Sequence, residues 1–300
     1  MAAGSDTLSR FLFERAAVRG TRVRLADTTQ LMLASHDYPP ALAGVLVELA
    51  GSALLLAAAL KFDGTLIVQL AGSGPARLIV VECAPTLAMR ATAQWDDARV
   101  RTLPADATLE ALAGGAASAR LAITLDPRDG APMYQGIVAL SATSVSATIA
   151  HYLETSEQVA SRLRLVREGA TLAGILLQRM PASGPDDDAT WARASEALET
   201  CAASAVLHAA ADNDGLVALF PGEDLRVFTP ATPRFHCSCS AARVEGALRI
   251  AGREEIEAAI AEGGEVVVTC EFCGRRYRFD PAEARALFAQ RGDAVAQTRH

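Results

Sequence analysis

Hydrophobic residues change their period repeatedly along this chain, and each change predicts an element. Apolar runs at residues 11–13 and 23–25 predict strands. Helical spacing over 28–35, followed by the long apolar run 41–60, predicts two helices. Strand-like runs return at 65–70, 77–81, 89–95, 120–125 and 134–138, several closed by turn residues such as those at 126–130. Residues 144–153 read as a helix. Adjacent strands with few helices between them predict an α+β class rather than a regular parallel α/β fold.

A break is expected at residues 181–188, where proline, glycine and three successive aspartates disfavour regular structure. Beyond it, Trp191, Ala194, Leu198, Cys201 and Ala205 recur at helical spacing and predict one helix over 190–210. Runs at 216–220 and 225–228 bracket a turn at Pro221-Gly222. The expected order is a large N-terminal mixed α/β-type domain over 1–180, a partly helical connector over 181–232, a small C-terminal zinc-binding domain over 233–290, and a tail over 291–300.

That last domain is where the chemistry lies. Cys237-Ser238-Cys239 and Cys270-Glu271-Phe272-Cys273 are two close pairs thirty residues apart. Such pairs offer four thiolates to a tetrahedral ion, and zinc is the usual occupant. A site closed by four sulfurs leaves no position for substrate, which points to structural or redox-sensing zinc. His236, beside Cys237, is a further residue able to ligate, but Cys239 completes the set without it. Between the pairs, Ile256, Ala259 and Ile260 mark a helix over 254–261 that Gly263-Gly264 ends. Val266, Val267 and Val268 form a strand leading into Cys270, and Tyr277 and Phe279 alternate with Arg276 and Arg278 in another. So small a domain draws much of its folding free energy from its metal.

Composition narrows the classes. The net charge is −7, and ten arginines face ten carboxylates from residue 234 onward, which speaks against a nucleic-acid binder. Residues 1–7 do not read as a secretory leader. The run 41–60 carries Glu48 and Ser52 and reads as a core helix rather than a membrane span. A cytoplasmic protein with no membrane partner is expected, and in that compartment thiols remain reduced. Cys83 and Cys201 read as inert. The chain shows no phosphate loop, no HExxH pair and no visible triad around its five histidines. Gly72-Ser73-Gly74 runs into Pro75 rather than a helix start, so no enzyme is expected. The alternative is a structural zinc ribbon attached to an enzyme or a nucleic-acid-binding protein.

Taken together, these residues resemble the heat-shock protein 33 family almost from end to end. The CxC and CxxC pairs carry the resemblance. So do Arg10-Phe11-Leu12-Phe13-Glu14 with Val18-Arg19-Gly20, Tyr38-Pro39, Leu60-Lys61-Phe62-Asp63-Gly64, Tyr134-Gln135-Gly136, Ser156-Glu157-Gln158 and Leu176-Leu177-Gln178. The resemblance implies a redox-regulated chaperone of the stress response that is not an enzyme and uses no nucleotide. It implies one zinc per reduced chain, held by Cys237, Cys239, Cys270 and Cys273. It further implies oxidation to the disulfides Cys237–Cys239 and Cys270–Cys273, with loss of zinc and loosening of the connector. Unfolding or oxidatively damaged client proteins are the implied partners, with ATP-dependent chaperones downstream and a homodimer in the oxidised state. Val159, Ala160 and Ser161 depart from the leucine, proline and threonine usual there. The alanine-rich stretch 192–211 replaces a more charged connector and is expected to unfold less readily on oxidation.

Overall fold

Two units, Met1–His236 and Cys237–His300, divide the chain. The structure is a computed structural model and describes residues 6–60, 62–127, 130–140, 144–181 and 185–289. Residues 1–5, Lys61 of one family stretch, Arg128 and Asp129 of one expected turn, residues 182–184 of the expected break, and the tail 291–300 lie outside the described residues.

Unit 1 begins with β1 (Thr7–Phe13), β2 (Val18–Leu25), α1 (Asp27–Leu33) and α2 (Pro40–Ala59). Strands β3 (Gly64–Ala71), β4 (Ala76–Cys83) and β5 (Ala88–Trp95) follow, then short helices α3 (Asp97–Arg101) and α4 (Leu109–Ala113). Next come β6 (Arg120–Pro127), β7 (Tyr134–Ala139), α5 (Val145–Thr155), β8 (Ser161–Glu168) and β9 (Thr171–Arg179). The remainder is α6 (Pro185–Thr200), α7 (Ala203–Ala211), α8 (Asn213–Leu219), β10 (Leu225–Val227) and β11 (Arg234–Phe235). One sheet has the order β10-β1-β2-β9-β8 and the other β11-β5-β4-β3-β6-β7. The mixed class expected from the sequence is the class observed.

Helix α2 organises this unit. Proline at its first position suits a helix start, and the chain becomes extended at Leu60. It packs against β2 and β9 of one sheet and against β3, β4 and β5 of the other. Because both sides meet apolar partners, the helix is hydrophobic almost all round. Gly51 lies so close to β9 that a Cβ there would come within 2.0 Å of Leu172 Cδ2. Helix α2 is long and apolar enough to cross a bilayer, yet 78% of its apolar window is buried inside the protein. Each leucine so buried contributes about 1.5–3 kcal/mol of transfer free energy. Burial pushes the Glu48 carboxyl up, and nearby Arg167 opposes that shift.

The five-stranded sheet is covered on both faces, and the residues of β9 show it. Leu172 and Leu176 join the core around α2, whereas Ala173, Ile175 and Leu177 pack with Phe11, Phe13, Leu198, Val206 and Leu216 beneath α6, α7 and α8. Buried Arg22 ties these helices to β2. Its guanidinium donates to the Ala209 carbonyl at 2.8 Å, to the Asp212 carbonyl and to Asn213 Oδ1, meeting the acceptors left open where α7 ends.

Two expectations need correction here. Asp186, Asp187 and Asp188 do not continue a break but occupy the first turn of α6, where carboxylates stabilise the helix dipole. Asp187 also accepts from the Ala17 amide at 2.8 Å. The single helix expected over 190–210 is divided at Cys201 and Ala202, because Ala202 turns extended before α7 begins. Strands β8 and β9 are elements beyond those expected from the sequence. The alternation of Arg162, Leu163, Arg164 and Leu165 was a legible strand signal, whereas the all-apolar run of β9 does not alternate because both faces are buried.

The last stretch of unit 1 is laced to both sheets. Strand β10 pairs antiparallel with β1, Ala231 exchanges backbone hydrogen bonds with Leu8, and β11 pairs parallel with β5. The His236 amide then donates to the Met89 carbonyl at 2.8 Å.

Candidate metal centre

Unit 2 contains α9 (Ala241–Ala251), α10 (Arg253–Gly263), β12 (Val266–Thr269), β13 (Arg276–Phe279) and α11 (Pro281–Ala289). Its buried core consists of Val244, Leu248, Ile256, Val266, Phe279 and Ala284. The sequence had indicated α10 and both strands; α9 and α11 are additional. Helix α11 carried a readable start signal. Asp280 Oδ1 accepts from the Ala282 and Glu283 amides at 2.8 Å, and Glu283 Oε2 accepts from the Asp280 amide at 3.0 Å, a capping box with proline at the first helical position.

Two turns carry the cysteines. Cys237 and Cys239 precede α9, whose first turn is capped by Ser240, and Arg243 Nη1 donates to Ser238 Oγ at 2.7 Å. Cys270 and Cys273 sit on the turn joining β12 to β13. There the Cys270 amide donates to the Arg275 carbonyl and the Gly274 amide to the Cys270 carbonyl. Gly274 has φ 68°, the left-handed conformation that glycine adopts without a Cβ penalty.

These turns bring all four Sγ atoms within 4.8 Å of one another. Cys237 Sγ lies 3.6 Å from Cys270 Sγ, and Cys239 Sγ lies 3.4 Å from Cys273 Sγ. All six cysteines of the chain are free thiols. Sulfurs placed about 2.3 Å from a tetrahedral ion stand about 3.8 Å apart, so these separations suit a metal ion. The set does not include His236. Cys83 is buried, which pushes its thiol up to about 12, and burial also raises Cys201.

Tyr277 is the site residue that the sequence did not single out. Its hydroxyl donates to Cys239 Sγ at 3.1 Å from the neighbouring strand. Burial pushes the Cys239 thiol up, but hydrogen bonds from Tyr277 and the other three thiols outweigh it and bring the group down to about 7. Cys273 is pushed up to about 12, chiefly by burial and then by its interactions with the other thiols. Hydrogen bonding within the cluster thus favours the ionised form of Cys239, the form that ligates a metal. The alternation of Tyr277 with arginines gave its strand but not its partner across the turns. Of the nearby arginines, Arg278 pairs with Glu265 at 2.6 Å.

The fold and this centre define a protein class: a two-sheet core built around one buried helix, followed by a small unit whose two turns converge four thiols. A family model described as Hsp33 protein matches residues 6–280. The 33 kDa chaperonin of Methylobacillus flagellatus is 39% identical, over 95% of this chain and 94% of its own length. That of Chromobacterium violaceum is 40% identical, over 98% and 97%. The crystal structure of the 33 kDa chaperonin of Thermotoga maritima, a heat shock protein 33 homolog, has the same fold. Its TM-score is 0.78 at 19% identity, covering 96% of this chain and 99% of that one. The chain belongs to the Hsp33 family, and that membership supports a chaperone function.

Proposed function

We propose that this protein is a redox-regulated, ATP-independent holdase of the cytoplasm. It would bind unfolding proteins once its four clustered thiols are oxidised. The observation that carries the reading is the convergence of Cys237, Cys239, Cys270 and Cys273 in a unit with six buried core residues among those described. The donor set fits zinc, since four thiolates at these separations match its tetrahedral preference. When bound, zinc would cross-link the two turns and keep the sulfurs ionised.

In the reduced state the four cysteines hold the ion and the unit stays folded. Two equivalents of peroxide would convert the four thiols into two disulfides and four waters, each pair giving up two electrons and two protons. The pairing Cys237–Cys239 and Cys270–Cys273 follows the family resemblance rather than these distances. Without its thiolates the site no longer holds the ion, and unit 2 loses free energy on the order of 10 kcal/mol. Its small core cannot replace that, so unfolding follows.

The connector would then loosen from the five-stranded sheet. Phe11, Phe13, Val18, Ile175 and Leu177, now covered by α6 to α8, would become available to apolar segments of client proteins. Oxidised chains would pair as homodimers, and clients would pass to ATP-dependent chaperones. No step asks for a catalytic residue or a nucleotide.

Zinc content and suppression of light scattering by an aggregating client, measured together before and after peroxide at heat-shock temperature, test this reading. The expected result is loss of one zinc per chain with gain of suppression. Zinc retained without gain would leave a structural zinc module.

A further inference from the structure

We propose that a cavity in unit 1, where α2 ends above the five-stranded sheet, binds an anionic amphiphile: one carboxylate or phosphate head on a short unbranched apolar tail. The cavity measures about 360 Å³ and is lined by Arg10, Leu12, Arg19, Leu60, Met180 and Phe228, among others. Its construction follows from strand alternation. Phe11 and Phe13 point to the face under the connector helices, so Arg10 and Leu12 share the opposite face. The β1–β2 register sets Arg10 against Thr21 and Leu12 against Arg19, which places the two arginines diagonally across one ladder. Helix α2 stops at Ala59, and among the described residues the sheet beyond it is left open between Leu60, Met180 and Phe228.

Both cations are held by neutral groups. The Arg10 guanidinium lies 5.8 Å from the centre of the Phe228 ring, and Arg19 Nε donates to Gln178 Oε1 at 3.0 Å. Among the described residues neither forms an ion pair with a carboxylate. In the same unit Arg15, Arg90, Arg162, Arg193 and Arg226 each do. Burial and then the like charge of Arg10 lower the Arg19 pKa, a repulsion that an anion would relieve. The C-terminal end of α2 offsets only about half a charge, so the cavity stays positive. An anion alone would leave Leu12, Leu60, Met180 and Phe228 wet, and an uncharged chain would leave two cations unmatched. Only a ligand with both parts satisfies both surfaces, and a tail of roughly eight carbons suits a pocket near the small end of the usual range. This inference is independent of the thiol chemistry.

Calorimetric titration of the reduced full chain with octanoate tests it, with octyl phosphate, octanol and inorganic phosphate as separate titrants. Octanoate or octyl phosphate should saturate at one site per chain, each at least tenfold tighter than octanol or inorganic phosphate. Arg10→Gln, at an exposed position, should weaken octanoate at least fivefold with the melting temperature unchanged, and Arg19→Gln should weaken it as well. Octanol equal to octanoate would overturn the role of charge, and inorganic phosphate equal to octyl phosphate would overturn the role of the tail. Affinity unmoved in both variants, or no saturation by either amphiphile up to about 10 mM, would overturn the site itself.

Discussion

The two units solve the same stability problem by opposite means. Unit 1 buries α2 between two sheets and a second apolar layer under α6 to α8. Unit 2 buries six core residues among those described and brings four thiols to one point. In the first, stability is spread over many interchangeable contacts, so no one of them decides the fold. In the second, on the proposed reading, it would be concentrated in four sulfur atoms and the ion they hold. The difference teaches that a fold with a small core depends on a few atoms, whereas a fold with a large core depends on none in particular.

The strongest way to break that comparison is at the sulfurs. Cys270→Ser should reduce bound zinc from one per chain to none and remove on the order of 10 kcal/mol from unit 2. Amide exchange should then show lost protection in β12 and β13, with β2 and β9 unchanged; protection kept in both strands would mean that the small core suffices. A smaller effect is expected in the large core. Leu54, fully buried, changed to Ala should cost about 2–5 kcal/mol and lower the melting temperature of unit 1 by roughly 5–15 °C, with its fold intact by circular dichroism. Collapse of unit 1 in that variant would show that its contacts are not interchangeable. The smallest effect sharpens the metal centre. Tyr277→Phe deletes the donor to Cys239 Sγ and should weaken zinc about tenfold in competition with a chelator; unchanged affinity would make the hydroxyl a bystander.

How far the sequence revealed this molecule depended on whether a signal was local. The cysteine spacing, the Val266–Val268 run and the Tyr277/Phe279 alternation were local, and the structure shows those strands. The helix α2 was visible as an apolar run, although only the structure shows that two sheets enclose it. Strand β9 hid because burial on both faces erased its alternation. Asp186–Asp188 misled because a run of like charges reads as a loop until the helix whose first turn they form is known. The Tyr277 contact to Cys239 was beyond reach, since it joins positions thirty-eight residues apart through a turn geometry no spacing encodes.

The backbone lacing at the end of unit 1 carries a further consequence. A strand edge left bare is a template for any extended chain, and proteins guard such edges against self-association. Here one continuous stretch, through β10, Ala231 and β11, closes the outer edge of β1 and that of β5 together. The same short stretch therefore guards both edges. If it departs, two sheets offer fresh pairing edges at the same moment. On the proposed oxidative opening, such a departure would leave the protein open to self-pairing through both edges.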